Sequence, residues 1–157
     1  VTVSVCNLRP ESRGTVHIGA PDPQSAPKIR PNYLSTEGDR TVAVASLRHV
    51  RRLMKARAIA RFAPEEMLPG AHYESDEDLV RKAGDIGTTI FHPVGTCKMG
   101  ADSTAVVDRR LRVHGISGLR VVDASIMPAI VSGNTNSPVV MIAEKASEMI
   151  LQDANQK

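Results

Sequence analysis

The sequence predicts an α+β fold in which short strands, joined by tight turns, are interleaved with three helices. Three observations carry this expectation. Apolar and polar residues alternate in several runs of three to five. One long stretch instead carries apolar residues at steps near three and four, a shorter one opens on a helix-capping signature, and the last is apolar over nearly its whole surface. Proline and glycine punctuate the boundaries between these runs.

Val1-Thr2-Val3-Ser4-Val5 alternates as a β-strand does, and such a run at the start suits an interior strand of a larger sheet. A second strand is expected over 15–18, after a turn built from Pro10 and Gly14. Pro21, Pro23, Pro27 and Pro31 forbid a helix over 20–35 and favour an extended strap. Asp39 then offers an N-cap for a helix to about Arg61, with Val42, Leu47, Val50, Met54 and Ala58 as its apolar stripe. Beside the stripe run Arg48, Arg51, Arg52 and Lys55, expected on a solvated or interdomain face. Ser75-Asp76-Glu77-Asp78 is a helix start with Ser75 as cap, and the acidic first turn suits the helix dipole. That helix fades at Gly84 and Gly87, and a strand over 88–91 delivers the chain into His92. Beyond Gly100, short strands are expected over 105–107, 111–113 and 119–122. The last element is a helix over 137–152 with Pro138 in its first turn, where a missing N–H does no harm. Nearly its whole surface is apolar, so it wants more covering protein than this chain supplies.

At 157 residues the chain is about one domain in length. Lys plus Arg total 20 and Asp plus Glu 17, a net charge of +3, and this weak, scattered excess argues against nucleic acid as a partner. A hydrophobic fraction of 41% excludes a disordered chain. No run reaches the roughly 18 apolar residues of a membrane span, and no signal peptide is evident. A cytoplasmic location is expected, with association at a membrane as the alternative. Cys6 and Cys97 are far apart and neither belongs to a CxxC pair, so neither a disulfide scaffold nor a zinc ribbon is indicated.

Two segments stand out chemically. His92 leaves a strand and precedes a proline, which fixes its backbone in an extended form, and an imidazole so placed suits a general base. The bland alternative is a histidine held by a backbone hydrogen bond in a turn. Ser132-Gly133-Asn134-Thr135-Asn136-Ser137 gathers six small residues at the positive end of the last helix, a setting for an anion or an electron-rich ring edge. Simple capping needs only one of them. His92 and Cys97 have no repeating ligand pair, so no metal site is expected. Cys97 reads as a buried filler, and His17, His49, His72 and His114 as structural.

These segments carry a family likeness. His92-Pro93-Val94-Gly95-Thr96-Cys97-Lys98-Met99-Gly100 resembles the motif bearing the active-site histidine of glucose–methanol–choline (GMC) flavoprotein oxidoreductases. Residues 119–128, followed by 132–138, resemble the C-terminal signature of that family. Ser12-Arg13-Gly14, Asp22-Pro23 and Pro31-Asn32-Tyr33-Leu34 are similar to its substrate domain. The Cys97-Lys98-Met99-Gly100 variant looks nearest to choline-dehydrogenase-like alcohol dehydrogenases.

The resemblance implies oxidation of an alcohol to a carbonyl, with hydride passing to the flavin N5 of FAD. It gives His92 the role of base and Asn134 that of orienting the alcohol oxygen. Asp123 and Ala124 match the segment near the FAD pyrophosphate, and Asn136, Ser137 and Pro138 the positions beside the isoalloxazine. It further implies a two-domain flavoprotein, of which residues 1–101 are an antiparallel-sheet substrate-domain portion with helices. Residues 102–157 are then the strands and helix that return to a Rossmann-like FAD domain. The GxGxxG fingerprint of that domain is absent from the sequence. The chain therefore resembles the C-terminal part of such an enzyme, expected to be inactive without its N-terminal part. Its other partners are a small alcohol and an electron acceptor left open between oxygen, quinone and a soluble carrier. The competing reading is a catalytically silent structural or interaction module, or a truncated gene product.

Overall fold

A computed structural model describes residues 1–155, which form two compact units dividing between Thr89 and Ile90.

In the first unit, β1 (Thr15–His17) pairs antiparallel with β2 (Lys28–Arg30), with Thr15 opposite Arg30 and His17 opposite Lys28. The proline-rich strap thus contributes a strand where three residues lie free between Pro27 and Pro31. Gly14 sits where the chain enters β1, and a Cβ there would lie 2.2 Å from Arg30 O. The strand expected over 1–5 does not form. Its side chains are exposed on both faces, so the alternation has no core to select one of them.

Helix α1 (Glu37–Met54) is capped by Thr36, whose hydroxyl accepts from Asp39 N at 3.2 Å, and not by Asp39 as expected. Asp39 lies in the first turn, 5% exposed, and its carboxylate gathers the segment before β1. It accepts from Asn7 Nδ2 (2.9 Å), Glu11 N (2.9 Å) and Ser12 N (2.7 Å). The helix also ends earlier than expected. Lys55 N and Ala56 N turn back to Arg52 O and Leu53 O, and Ala56 is extended before the four-residue α2 (Arg57–Ala60).

Of the expected stripe, Leu47, Val50 and Met54 are half-buried, whereas Val42 and Ala58 are exposed and Val44 is the buried position. Helix α3 (Asp76–Ile86) starts as the sequence indicates, with Ser75 Oγ accepting from Asp78 N at 3.1 Å. It packs against α1, and Leu79 on it is fully buried. The basic strip is not merely solvated. Arg51 grips Glu66 through two nitrogens (2.8 and 2.9 Å) and donates to Tyr73 O and Gly70 O, while Arg48 pairs with Asp76.

The second unit is organised on α4 (Asn136–Ala154). Ile142 and Ala146 on this helix join Val107, Leu111, Ile126 and Met127 in one core. The strands expected over 88–91, 105–107, 111–113 and 119–122 do not form as ladders. Phe91 and Leu111 take φ of 64°, which breaks extended geometry. Only isolated pairings join Val107 to Met99 and Val113, and Arg112 to Arg120, because the chain reverses before a ladder can lengthen. A 3-10 turn spans Ala124–Ile126. At the far end of α4, Asp153 pairs with Arg110 (2.6 Å) and Arg120, and Arg110 also donates to Met149 O. Val140, Met141 and Leu151 remain 54%, 60% and 65% exposed. Among the described residues no helix is long and apolar enough to cross a membrane.

Candidate active site

The segment bearing His92 is held by the 3-10 turn that follows it in sequence. Cys97 N donates to Ser125 O (3.0 Å) and Met99 N to Ile126 O (2.8 Å), so residues 97–99 run alongside 125–126. Asp123 caps that turn, its Oδ1 accepting from Ser125 N at 2.7 Å. Gly95 makes the bend that turns the chain from His92 toward Cys97. Its φ is +90°, and a Cβ there would stand 3.2 Å from Met127 O. Ile126 and Met127 are buried in the same core as Ile142 of α4, so the His92 segment and the start of α4 are anchored to one body.

That anchoring brings together two residues 42 positions apart. Asn134 Nδ2 lies 3.3 Å from His92 Nε2, with Asn134 exposed and His92 half-buried. An amide nitrogen is a donor only, so with Asn134 in this orientation Nε2 is the acceptor. On the other side of the ring, His92 Nδ1 is 2.8 Å from the hydroxyl of Thr135, a residue 8% exposed. A hydroxyl that enters between the exposed amide and Nε2 replaces their mutual contact, and the imidazole can then take its proton while the amide holds its oxygen.

The other residues singled out in the sequence lie close along the chain but engage locally. Asn136, Ser137 and Pro138 form the first turn of α4, with Asn136 and Ser137 exposed and no acidic residue in that turn. The positive helix end is therefore not neutralised from within. Asp123 is exposed and Ala124 half-buried at the 3-10 turn. Thr135 is the residue that reading the sequence passed over. It lay within the polar run, and the signal for it is the proline three positions on, which withdraws the amide that a capping hydroxyl ordinarily meets. Among the described residues no group of three or more His, Cys, Asp or Glu could hold a metal ion.

Residues 10–143 match the family model described as GMC oxidoreductase. The chain is 43% identical over 151 residues to an alcohol dehydrogenase [acceptor] of Pseudomonas putida, covering 96% of this chain and 27% of that protein. It is 45% identical over 144 residues to an oxygen-dependent choline dehydrogenase of Pseudomonas entomophila, covering 92% and 26%. Among solved structures, pyridoxine 4-oxidase from Mesorbium loti superposes with a TM-score of 0.81 at 35% identity, over 90% of this chain and 28% of that one. An FAD-dependent oxidoreductase from Chaetomium thermophilum superposes with a TM-score of 0.87 at 29% identity, over 94% and 26%. The chain thus spans about a quarter of the length of the relatives it matches.

Proposed function

The chain belongs to the GMC oxidoreductase family, and from that premise we propose that it serves as the C-terminal part of an FAD-dependent enzyme oxidising an alcohol to an aldehyde or ketone. The observation that carries this reading is the 3.3 Å approach of Asn134 Nδ2 to His92 Nε2 at an exposed edge. An alcohol hydroxyl satisfies both groups at once. It donates its proton to Nε2 and accepts from the Asn134 amide.

FAD, when bound, supplies the acceptor for the hydride that leaves the alcohol carbon. His92 takes the hydroxyl proton at Nε2, so the C–O bond gains its second bond as the hydride departs. Asn134 does not titrate near neutral pH, and His92 carries the proton alone. Asn136 and the amides of the first turn of α4 place positive potential where a reduced ring would bear negative charge. In this reading residues 1–101 belong to the substrate domain and 102–157 to the FAD domain, with Asp123 and Ala124 beside the pyrophosphate.

In the intact FAD-loaded enzyme, His92→Ala is expected to cost on the order of a hundredfold in turnover, measured as dye reduction with a panel of small alcohols. A loss under tenfold would show that His92 only packs.

A further inference from the structure

We propose that Thr135 is a positioning residue that supports the tautomer and fixes the plane of His92, and so keeps the Nε2 lone pair turned toward the substrate hydroxyl. This inference rests on the functional reading above and goes one residue beyond it.

Among the described residues, the helices of 11 residues or more all start from a hydroxyl residue, and α1 and α3 use it for capping. Thr36 Oγ1 accepts from Asp39 N at 3.2 Å and Ser75 Oγ from Asp78 N at 3.1 Å, each three residues on. At α4 the residue three positions beyond Thr135 is Pro138, which has no N–H to offer. The backbone differs to match. Thr36 and Ser75 are extended, with ψ of 154°, whereas Thr135 is already helical at φ −91° and ψ −6°. Its carbonyl accepts from Val139 N at 3.0 Å, as those of Thr36 and Ser75 do from Arg40 N and Leu79 N, but its hydroxyl makes no capping bond. A buried hydroxyl relieved of its local duty is a departure from the ordinary rule, and such departures mark functional positions.

What the hydroxyl meets instead is His92 Nδ1, 43 residues away, at 2.8 Å. A neutral imidazole carries one N–H. Because Nε2 accepts from Asn134, that proton is on Nδ1, and the Thr135 oxygen is its acceptor. The Asn134 contact selects the tautomer whose Nε2 can receive a proton, and the Thr135 oxygen supports that tautomer by accepting from Nδ1–H. Thr135 lies in the core-anchored start of α4, so the hydroxyl also limits rotation of the ring about its Cβ–Cγ bond.

The test is a cycle of variants in the intact FAD-loaded enzyme. Thr135→Val keeps the shape and removes the acceptor, and is expected to lower kcat/KM about tenfold, the worth of one hydrogen bond, with FAD content unchanged. Thr135→Ser restores the acceptor and is expected to return kcat/KM to within about threefold of the parent. In a His92→Ala background, Thr135→Val is expected to have no further effect. Solid-state spectra of the enzyme with 15N-labelled histidine supply a readout apart from turnover. The signal lost in His92→Gln should report the Nδ1–H form in the parent and in Thr135→Ser, and a mixture in Thr135→Val. The proposal is overturned if Thr135→Val acts equally with and without His92, if Ser does not rescue, or if the Nδ1–H signal is unchanged in the Val variant. Should His92→Ala itself cost under tenfold, the functional reading fails instead, while the tautomer spectra still decide the role of Thr135.

Discussion

Replacing Asp39 by Asn offers a stringent test of how the first unit is held together. The carboxylate is 5% exposed and serves three donors. Oδ1 accepts from Asn7 Nδ2 and Glu11 N, and Oδ2 from Ser12 N. An asparagine has one oxygen and one NH2 in the same plane. With its oxygen at the Oδ1 position, the amide nitrogen faces Ser12 N donor to donor across 2.7 Å. The reverse orientation leaves two donors unmet. At least one backbone N–H is orphaned, and the remaining bonds lose their charge assistance, for a cost of about 2 kcal/mol. That corresponds to roughly a thirtyfold rise in the opening of the segment around Ser12, since about 1.4 kcal/mol is a factor of ten. Hydrogen exchange of peptides covering residues 7–13, read by mass spectrometry, measures that opening directly. Protection at Glu11 and Ser12 within threefold of the parent would refute the account.

The same carboxylate gives a signed pH dependence. Burial pushes the Asp39 carboxyl up, but hydrogen bonds from Ser12, Glu11 and Thr36 outweigh it and hold the group below the ordinary aspartate value. A carboxyl lowered in the folded state contributes stability that is fully present above roughly pH 4 and lost as pH falls through the folded value. The exchange difference between parent and Asp39→Asn should therefore shrink on acidification and be constant near neutrality.

Further expectations are these. Ile142→Ala removes a branched side chain from the core beneath α4 and should destabilise the second unit by about 2–4 kcal/mol in denaturant unfolding; a cost under 1 kcal/mol would mean the core does not set that unit's stability. Arg51→Lys loses the two-pronged grip on Glu66 and the bonds to Tyr73 O and Gly70 O, and should lower stability by about 1–2 kcal/mol, with no recovery in Arg51→Gln. Gly95→Ala forces a side chain into a φ of +90° against Met127 O and should cost about 1–3 kcal/mol by thermal unfolding, along with turnover in the intact enzyme. An unchanged melting temperature would show that the bend relaxes without strain.

What was legible in the sequence follows the range of the interactions involved. Helix α3 could be read because its signals are local: Ser75 meets an amide three residues away, and the acidic turn answers the helix dipole. The bounds of α4 agree within one or two residues because Pro138 suits a first helical turn and the apolar run after it is continuous. Asp39 reads as a cap in the sequence because its actual role depends on Asn7, Glu11 and Ser12, 27 to 32 positions back. The alternation in residues 1–5 and 105–122 describes strands only where a partner lets a ladder grow, and pairing is not a local property. His92 and Asn134 were picked out by their motifs, whereas their approach to 3.3 Å depends on the core that ties both segments to Ile126 and Met127. Thr135 escaped notice because a threonine before a helix ordinarily caps it, and only the consequence of Pro138 together with the position of the ring sets it apart.

The clasp of Asp153 by Arg110 and Arg120 has a mechanical corollary. The 19 residues of α4 make a rod about 28 Å long, pegged by ionic contacts at one tip and presenting a hydroxyl to an imidazole at the other. Buried Ile142 and Ala146 fix the middle of that rod to the core, so the tip carrying Thr135 is located by packing, and the two guanidinium groups reinforce at the remote end what the core sets near the imidazole.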